Sequence, residues 1–232
     1  MREFWLHIPF EQQCLLGVLL LLLIYQVYFY LRYMLLRTEH RQDVNEVPQD
    51  EDKEPHFVQL DLFAPAVKGV SVIVAARNES DNLRHFLHAL LEQDYPLFEV
   101  IVVNDGSLDN TAEVLEEYQH KYRHMRTTFV PCQARVISSK KLALSLAVKA
   151  ARYKYLLLTD ADCRPESRLW IREMMKGFED GEQTDIVLGY GAYFPSTGHV
   201  GRLTQYETLF TGLQYMGFAR AGHAYMGVGR NL

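Results

Sequence analysis

The chain has 232 residues, 48% of them hydrophobic, enough for one sizeable core with attachments. Its formal charge of −5 supplies no general basic surface, so nucleic-acid binding is not expected. Three cysteines, Cys14, Cys132 and Cys163, are too few and too scattered for a disulfide framework and suit a reducing compartment.

The first element is apolar. From Gln12 to Leu31 twenty residues carry no formal charge, bracketed by Glu11 and Arg32. A helix of that length spans roughly 30 Å, the thickness of a bilayer core. Tyr25, Tyr28, Phe29, Tyr30 and Tyr33 crowd one end, as an interfacial aromatic belt would. A cleaved signal peptide has a shorter apolar region and a small-residue cleavage site, and a core helix is seldom Leu-rich on every side at a terminus. Residues 1–37 are therefore expected to be a transmembrane anchor. Arg32, Arg37 and Arg41 follow the helix while only Arg2 precedes it, which places the C-terminal side in the cytoplasm.

Residues 38–55 hold seven acids, two bases and almost nothing apolar. Such a stretch cannot bury enough surface to offset its chain entropy, so 38–56 reads as a disordered linker and 57–232 as the folded domain.

Strands and helices then alternate. Val70–Ala76 is a β-branched run of the kind covered on both faces. Leu83, Phe86, Leu87, Leu90 and Leu91 follow at helical spacing. Phe98–Val103 is the second strand, Thr111–Tyr122 a helix, and Met125–Val130 the third strand. Ser138 or Ser139 can cap a helix through KKLALSLAVKAA. Tyr155–Thr159 is the fourth strand, followed by a helix from about Ser167 to Gly177. Asp185–Tyr190 reads as a fifth strand, and Leu203–Phe218 as a last helix. This order predicts βαβ crossovers and a mainly parallel sheet.

Ligands of such sheets bind beyond the carboxyl ends of the strands. ARNE (76–79), NDGS (104–107) and TDAD (159–162) each fall at such an end. Asp160 and Asp162, one residue apart, offer the oxygen ligands that Mg2+ or Mn2+ prefers, although acids at a strand end also serve simply as turn or cap residues. The soft sulfur of Cys163 does not suit such a site and reads as packing. Asp105 can accept hydrogen bonds from a base or ribose, or simply belong to a turn, with Asp109 suited to cap the next helix. Arg77 and Glu79 are surface charges or ligand contacts. Lys140 and Lys141 open a helix, where the dipole disfavours cations, and so hint at an anionic ligand. The pairs His85/His88 and His120/His124 read as solvated rather than metal-binding. Neither GxGxxG nor a P-loop is present.

Taken in order, VSVIVAARNE, VIVVNDGSLDNT, SSKKLAL, YLLLTDADCRP and MGVGRNL resemble the family-2 glycosyltransferases of the GT-A fold, in particular their membrane-bound bacterial members, over roughly Val70–Leu232. The resemblance implies an inverting transfer of sugar from a nucleotide-diphosphate donor to a glycan or lipid-linked acceptor. It implies a site on the cytoplasmic face of the inner membrane. By position, Ala75, Arg77, Glu79 and Asp105 match the nucleotide-binding set, Lys140 a basic residue near the diphosphate, and Asp160 with Asp162 the metal-binding DxD. Asp162 is the expected direct ligand, and Asn104 stands where many relatives carry another acid. The general base and the acceptor-gripping motif fall beyond Leu232 in relatives, so the domain is expected to be incomplete and this chain alone inactive. Glu207, the one acid after Asp185, reads as helical. Rival expectations are a sugar nucleotidyltransferase, which more often carries a Gly-rich basic loop after the first strand, and a non-catalytic scaffold with a degenerate site.

Overall fold

A computed structural model describes residues 9–36, 67–130, 139–178 and 184–232. The linker, Cys132 and Ser138 lie outside the described residues, as does the proposed start of the folded domain near Phe57. The chain forms two compact units.

The first unit contains α1 (Phe10–Leu36) and α6 (His199–Arg220). The stretch Phe10–Arg32 is long and apolar enough to cross a membrane, with none of it buried in protein.

The second unit contains β1 (Val70–Ala76), α2 (Ser80–Leu91), β2 (Phe98–Asn104), α3 (Thr111–Lys121), β3 (Met125–Phe129), α4 (Ser139–Ala150), β4 (Tyr155–Asp160) and α5 (Trp170–Lys176), together with Met226–Leu232. Its sheet has the order β3-β2-β1-β4, and every pairing is parallel. Alternation along β1 explains the continuous β-branched run. Val70, Val72, Val74 and Ala76 pack on one face with Leu83, Leu87 and Leu90 of α2, Val114 of α3 and Ile171 of α5. Ile73 packs on the other face with Ala143 and Ala147 of α4. Both faces are covered, so neither needs a polar residue.

At the amino end of the sheet a buried acid ties strands to a helix end. Glu99 accepts hydrogen bonds from the Ser71 hydroxyl (2.8 Å), the Arg152 amide (2.7 Å) and Arg126 Nη1 (3.2 Å). Burial pushes its carboxyl up, but these donors outweigh burial and hold it below the usual carboxylate range. Gln93, also buried, donates to the Ser167 carbonyl and accepts from the Ile171 amide, supporting the start of α5. That helix begins at Trp170 rather than Ser167, because the Ser167 hydroxyl accepts the Leu169 amide in a turn of its own.

The expected fifth strand at 185–190 is absent. Val187 packs against the core cluster without joining a ladder. The Gly189 amide donates to the Asn231 carbonyl (2.9 Å), and Asn231 Nδ2 donates to the Tyr190 carbonyl (3.2 Å). Leu232 and Leu158 exchange both backbone hydrogen bonds, so the outer edge of β4 is met by residue 232 instead. His124 is likewise no solvated residue. Its ring bonds the Leu91 carbonyl and packs edge-on to Phe98, with centroids 4.8 Å apart.

Candidate active site

The parallel register decides which side chains meet. Ala75 pairs with Val103 of β2 and Asp160 of β4, so all three share one level and one face of the sheet. That face is the one α4 covers, through Ala143 and Ala147 against Ile73 and Ile101. Lys140, the second residue of α4, thereby reaches Asp160, with Nζ 2.8 Å from Oδ1. The Lys side chain is 59% exposed and the Asp 33%, so the pair is a screened one. A cation at a helix start, unfavourable by itself, meets an acid of the chain's own.

The loops after β1 and β2 interlock. Asn78 adopts φ 55°, and its Oδ1 accepts the Leu108 amide at 2.8 Å. The Asn78 amide donates to the Ser107 hydroxyl (3.0 Å), and the Glu79 amide to the Thr111 hydroxyl (3.1 Å). Asp109 accepts from the Ser80 amide and from both the amide and hydroxyl of Thr111. These bonds, the Thr111 hydroxyl foremost, hold the Asp109 carboxyl far below the usual range. Asp109 thus joins two loops as well as supporting the start of α3. The Asp105 amide donates to the Ala76 carbonyl (2.8 Å), and Gly106 turns with φ 62°. Arg77 and Glu79 are presented from one side of this clamp and Asp105 from the other.

The result is a polar cavity of about 320 Å3 lined by Ala75, Ala76, Arg77, Glu79, Asp105, Lys140, Asp160, Ala161 and Asp162. All seven residues that the resemblance matches to the nucleotide, diphosphate and metal line it. An apolar cavity of about 140 Å3 beside β4 contains none of them. Asn104 faces inward to the turn, its Oδ1 accepting the Ser107 amide at 3.0 Å. Glu207 is exposed on α6. The clamp residues Asn78, Asp109 and Thr111 went largely unrecognised in the sequence, because a cross-loop hydrogen bond has no periodic signature. The asparagine between Arg77 and Glu79 was the one available signal.

Asp160, Asp162 and Cys163 bring two carboxylates and a thiol to within 4.8 Å of one another. Burial first, then the Asp162 carboxylate, pushes the Cys163 thiol up to about 11. It stays protonated and donates to Asp162 Oδ1 at 3.5 Å. What remains for a cation is a pair of carboxylates, Asp162 exposed and Asp160 partly so, a donor set that fits a hard divalent ion.

Acids and cations from four separate segments meet at the carboxyl ends of a parallel sheet, the place where ligands of α/β proteins bind. The profile of the family described as Glycosyl transferase family 2 matches residues 71–230. The chain belongs to that family, and with it to the GT-A class of fold expected from its motifs. Among curated relatives, a poly-beta-1,6-N-acetyl-D-glucosamine synthase of Staphylococcus epidermidis is 38% identical over 96 residues, 41% of this chain and 22% of the relative. The glycosyltransferase YibD of Escherichia coli K12, described as uncharacterised, is 31% identical over 111 residues, 48% of this chain and 31% of the relative. The alignments thus span less than a third of these relatives. Among solved structures, the mannosyltransferase PcManGT from Pyrobaculum calidifontis, in complex with GDP-Man and Mn2+, gives a TM-score of 0.47 at 24% identity, over 67% of this chain and 40% of that one. Staphylococcus aureus TarS 1–349 in complex with UDP-GlcNAc gives 0.42 at 24%, over 48% and 31%. Both are partial likenesses, and the family assignment rests on the match over residues 71–230.

Proposed function

We propose that the sheet unit binds the nucleotide-diphosphate sugar donor of an inverting transfer to a glycan or lipid-linked acceptor. In this reading α1 anchors the chain in the inner membrane, with the site on the cytoplasmic side. The observation that carries the reading is the cavity: residues from four separated motifs, picked for one chemistry, line one space.

Asp105, at the turn after β2, accepts hydrogen bonds from the nucleoside, and the clamped loop beside it carries Arg77 and Glu79 to the same end. Lys140 faces the diphosphate. Asp162, with Asp160 beside it, holds a divalent cation, Mg2+ or Mn2+, which when bound neutralises charge on the departing nucleoside diphosphate. The apolar strand β4 ends on Asp160 and fixes it, with Asp162 following in the turn, so Asp160 needs little reorganisation when charge develops. The relatives named as N-acetylglucosamine polymer synthases make an N-acetylglucosamine donor the first to try.

The test is a melting-shift series on the full chain in mild detergent, with UDP, GDP, UDP-GlcNAc and GDP-mannose, each with and without Mn2+. A ligand that binds the folded state raises the melting temperature by mass action. Asp162→Ala is expected to lose the Mn2+-dependent part of the shift, Asp160→Ala less of it, and Asp105→Ala the nucleotide shift seen without metal. An undiminished Mn2+-dependent shift in Asp162→Ala removes the metal role. No shift with any nucleotide removes the donor site.

A further inference from the structure

The helix α6 belongs to no part of the cavity, yet it meets α1 where the apolar run ends. Phe29 lies against Phe218 (centroids 5.1 Å) and Tyr30 against Phe210 (5.2 Å), while Gln214 donates to the Tyr30 hydroxyl at 3.3 Å. Phe29 and Tyr30 are neighbours, about 1.5 Å apart along their helix, whereas Phe210 and Phe218 are separated by about 12 Å along theirs. One level of α1 thus touches more than two turns of α6, so α6 runs across α1 rather than alongside it. That level is the aromatic end of α1, next to Arg32, where an apolar span gives way to water.

The amino-terminal half of α6 is bare on its apolar side. Val200 is 79% exposed, Leu203 66% and Tyr206 63%. Leu203, Tyr206 and Phe210 recur at spacings of three and four, which places them on one stripe. Arg202 and Arg220 stand on the same helix against a single acid, Glu207. A stripe of exposed Leu and Tyr beside Arg is what a helix needs to lie at a lipid surface, the rings and methyls in the headgroup boundary and the long basic side chain at its edge.

We propose that α6 lies in the plane of the membrane–water interface, with Leu203 and Tyr206 among the headgroups of an anionic leaflet. The occupant of its bare face is therefore lipid. Three observations converge on it: the crossing geometry, the depth set by Phe29 and Tyr30, and the basic balance of the helix. The proposal rests on α1 spanning the bilayer, and the experiment separates the two.

A single fluorescent non-natural residue is placed in turn at positions 203, 206, 21 and 116 of the full chain, the last on exposed α3. Each protein is reconstituted in phosphatidylglycerol–phosphatidylcholine vesicles carrying nitroxide quenchers either at the headgroup or at mid-chain. Probes at 203 and 206 are expected to lose fluorescence to the headgroup quencher and little to the mid-chain one. The probe at 21 is expected to show the reverse, and the probe at 116 to respond to neither. If 203 and 206 behave like 116 while 21 is quenched deeply, the interfacial helix is overturned and the anchor stands. Quenching of 203 and 206 as deep as that of 21 also overturns it, since α6 would then be immersed. If 21 itself escapes the mid-chain quencher, the anchor reading falls, and this proposal falls with it.

Discussion

Asn78 offers a sharp test of the loop clamp, because its backbone and its side chain act separately. It sits at φ 55° and its Oδ1 accepts the Leu108 amide at 2.8 Å. Asn78→Asp keeps both the acceptor and a tolerance for the left-handed region, and is expected to melt close to the parent. Asn78→Gly removes the acceptor but suits the backbone. The lost bond, worth about 1 kcal/mol, is joined by a small gain in unfolded-chain entropy and offset by relief of residual strain. Asn78→Ala loses the same bond and puts in the left-handed region a residue that lacks the local side-chain hydrogen bonding by which asparagine tolerates it, adding about 1 kcal/mol. The expected losses are thus near zero, about 1 and about 2 kcal/mol, or about 2–4 °C of melting temperature per kcal/mol for a chain of this size. The assay is thermal unfolding of the full chain in detergent, followed by the nucleotide shift for each variant. Because Arg77 and Glu79 flank Asn78, the alanine variant should also lose nucleotide affinity. If glycine melts as low as alanine, the backbone strain is not what Asn78 accommodates. If aspartate melts as low as alanine, the acceptor bond is not what holds the loops.

Glu99→Ala is expected to cost about 3 kcal/mol, the lower end for breaking a buried charged pair, because Arg126 and Arg152 can still reach water. Since the folded Glu99 carboxyl titrates below its unfolded value, its contribution is complete above about pH 4.5 and fades as pH falls through the folded pKa. Chemical unfolding across pH 3–7 should therefore show a flatter acid limb in the variant, and parallel limbs would contradict this. Lys140→Ala should shift two affinities in opposite directions. Freed of its 2.8 Å partner, Asp160 should take part in Mn2+ binding more readily, by no more than about threefold for so exposed a pair, while nucleoside diphosphate binds less well. Calorimetric titrations with each ligand decide, and weaker binding of both would show that Lys140 only props the site. Finally, the full chain should stay in the membrane pellet through high-salt and carbonate washes, since burial of the apolar side chains of α1 is not screened by salt. Its release would remove the anchor.

Local pattern alone carried most of the sheet. Val70–Ala76 appears in the structure with the bounds expected, and the other three strands differ from expectation by at most one residue at an end, because runs of Val, Ile and Leu between polar breaks leave few other options. The lining of the polar cavity was legible for a related reason. Ligands of parallel sheets bind beyond strand ends, so Arg77, Asp105 and Asp160 could be picked as candidates from the strands alone. The apolar stretch of α1 was equally plain, since a twenty-residue run without charge is a statement about solvent as much as about folding.

What the sequence could not supply was pairing across distance. The apolar residues 185–190 looked like a strand, but a strand exists only when a neighbour offers its edge. Here Asn231 takes the Gly189 amide while Leu232 takes the edge of β4. His124 looked solvated until Leu91 and Phe98 were brought beside it. Lys140 announced an anion, but only the register of β1 with β4 showed that the first anion it meets is Asp160. The cross-loop bonds of Asn78 and Asp109 and the buried station of Glu99 belong to the same class. Periodicity records which side of an element faces the core, and it is silent on which element arrives there. That is decided by packing and hydrogen bonding between segments far apart in the chain, and so by the tertiary structure alone.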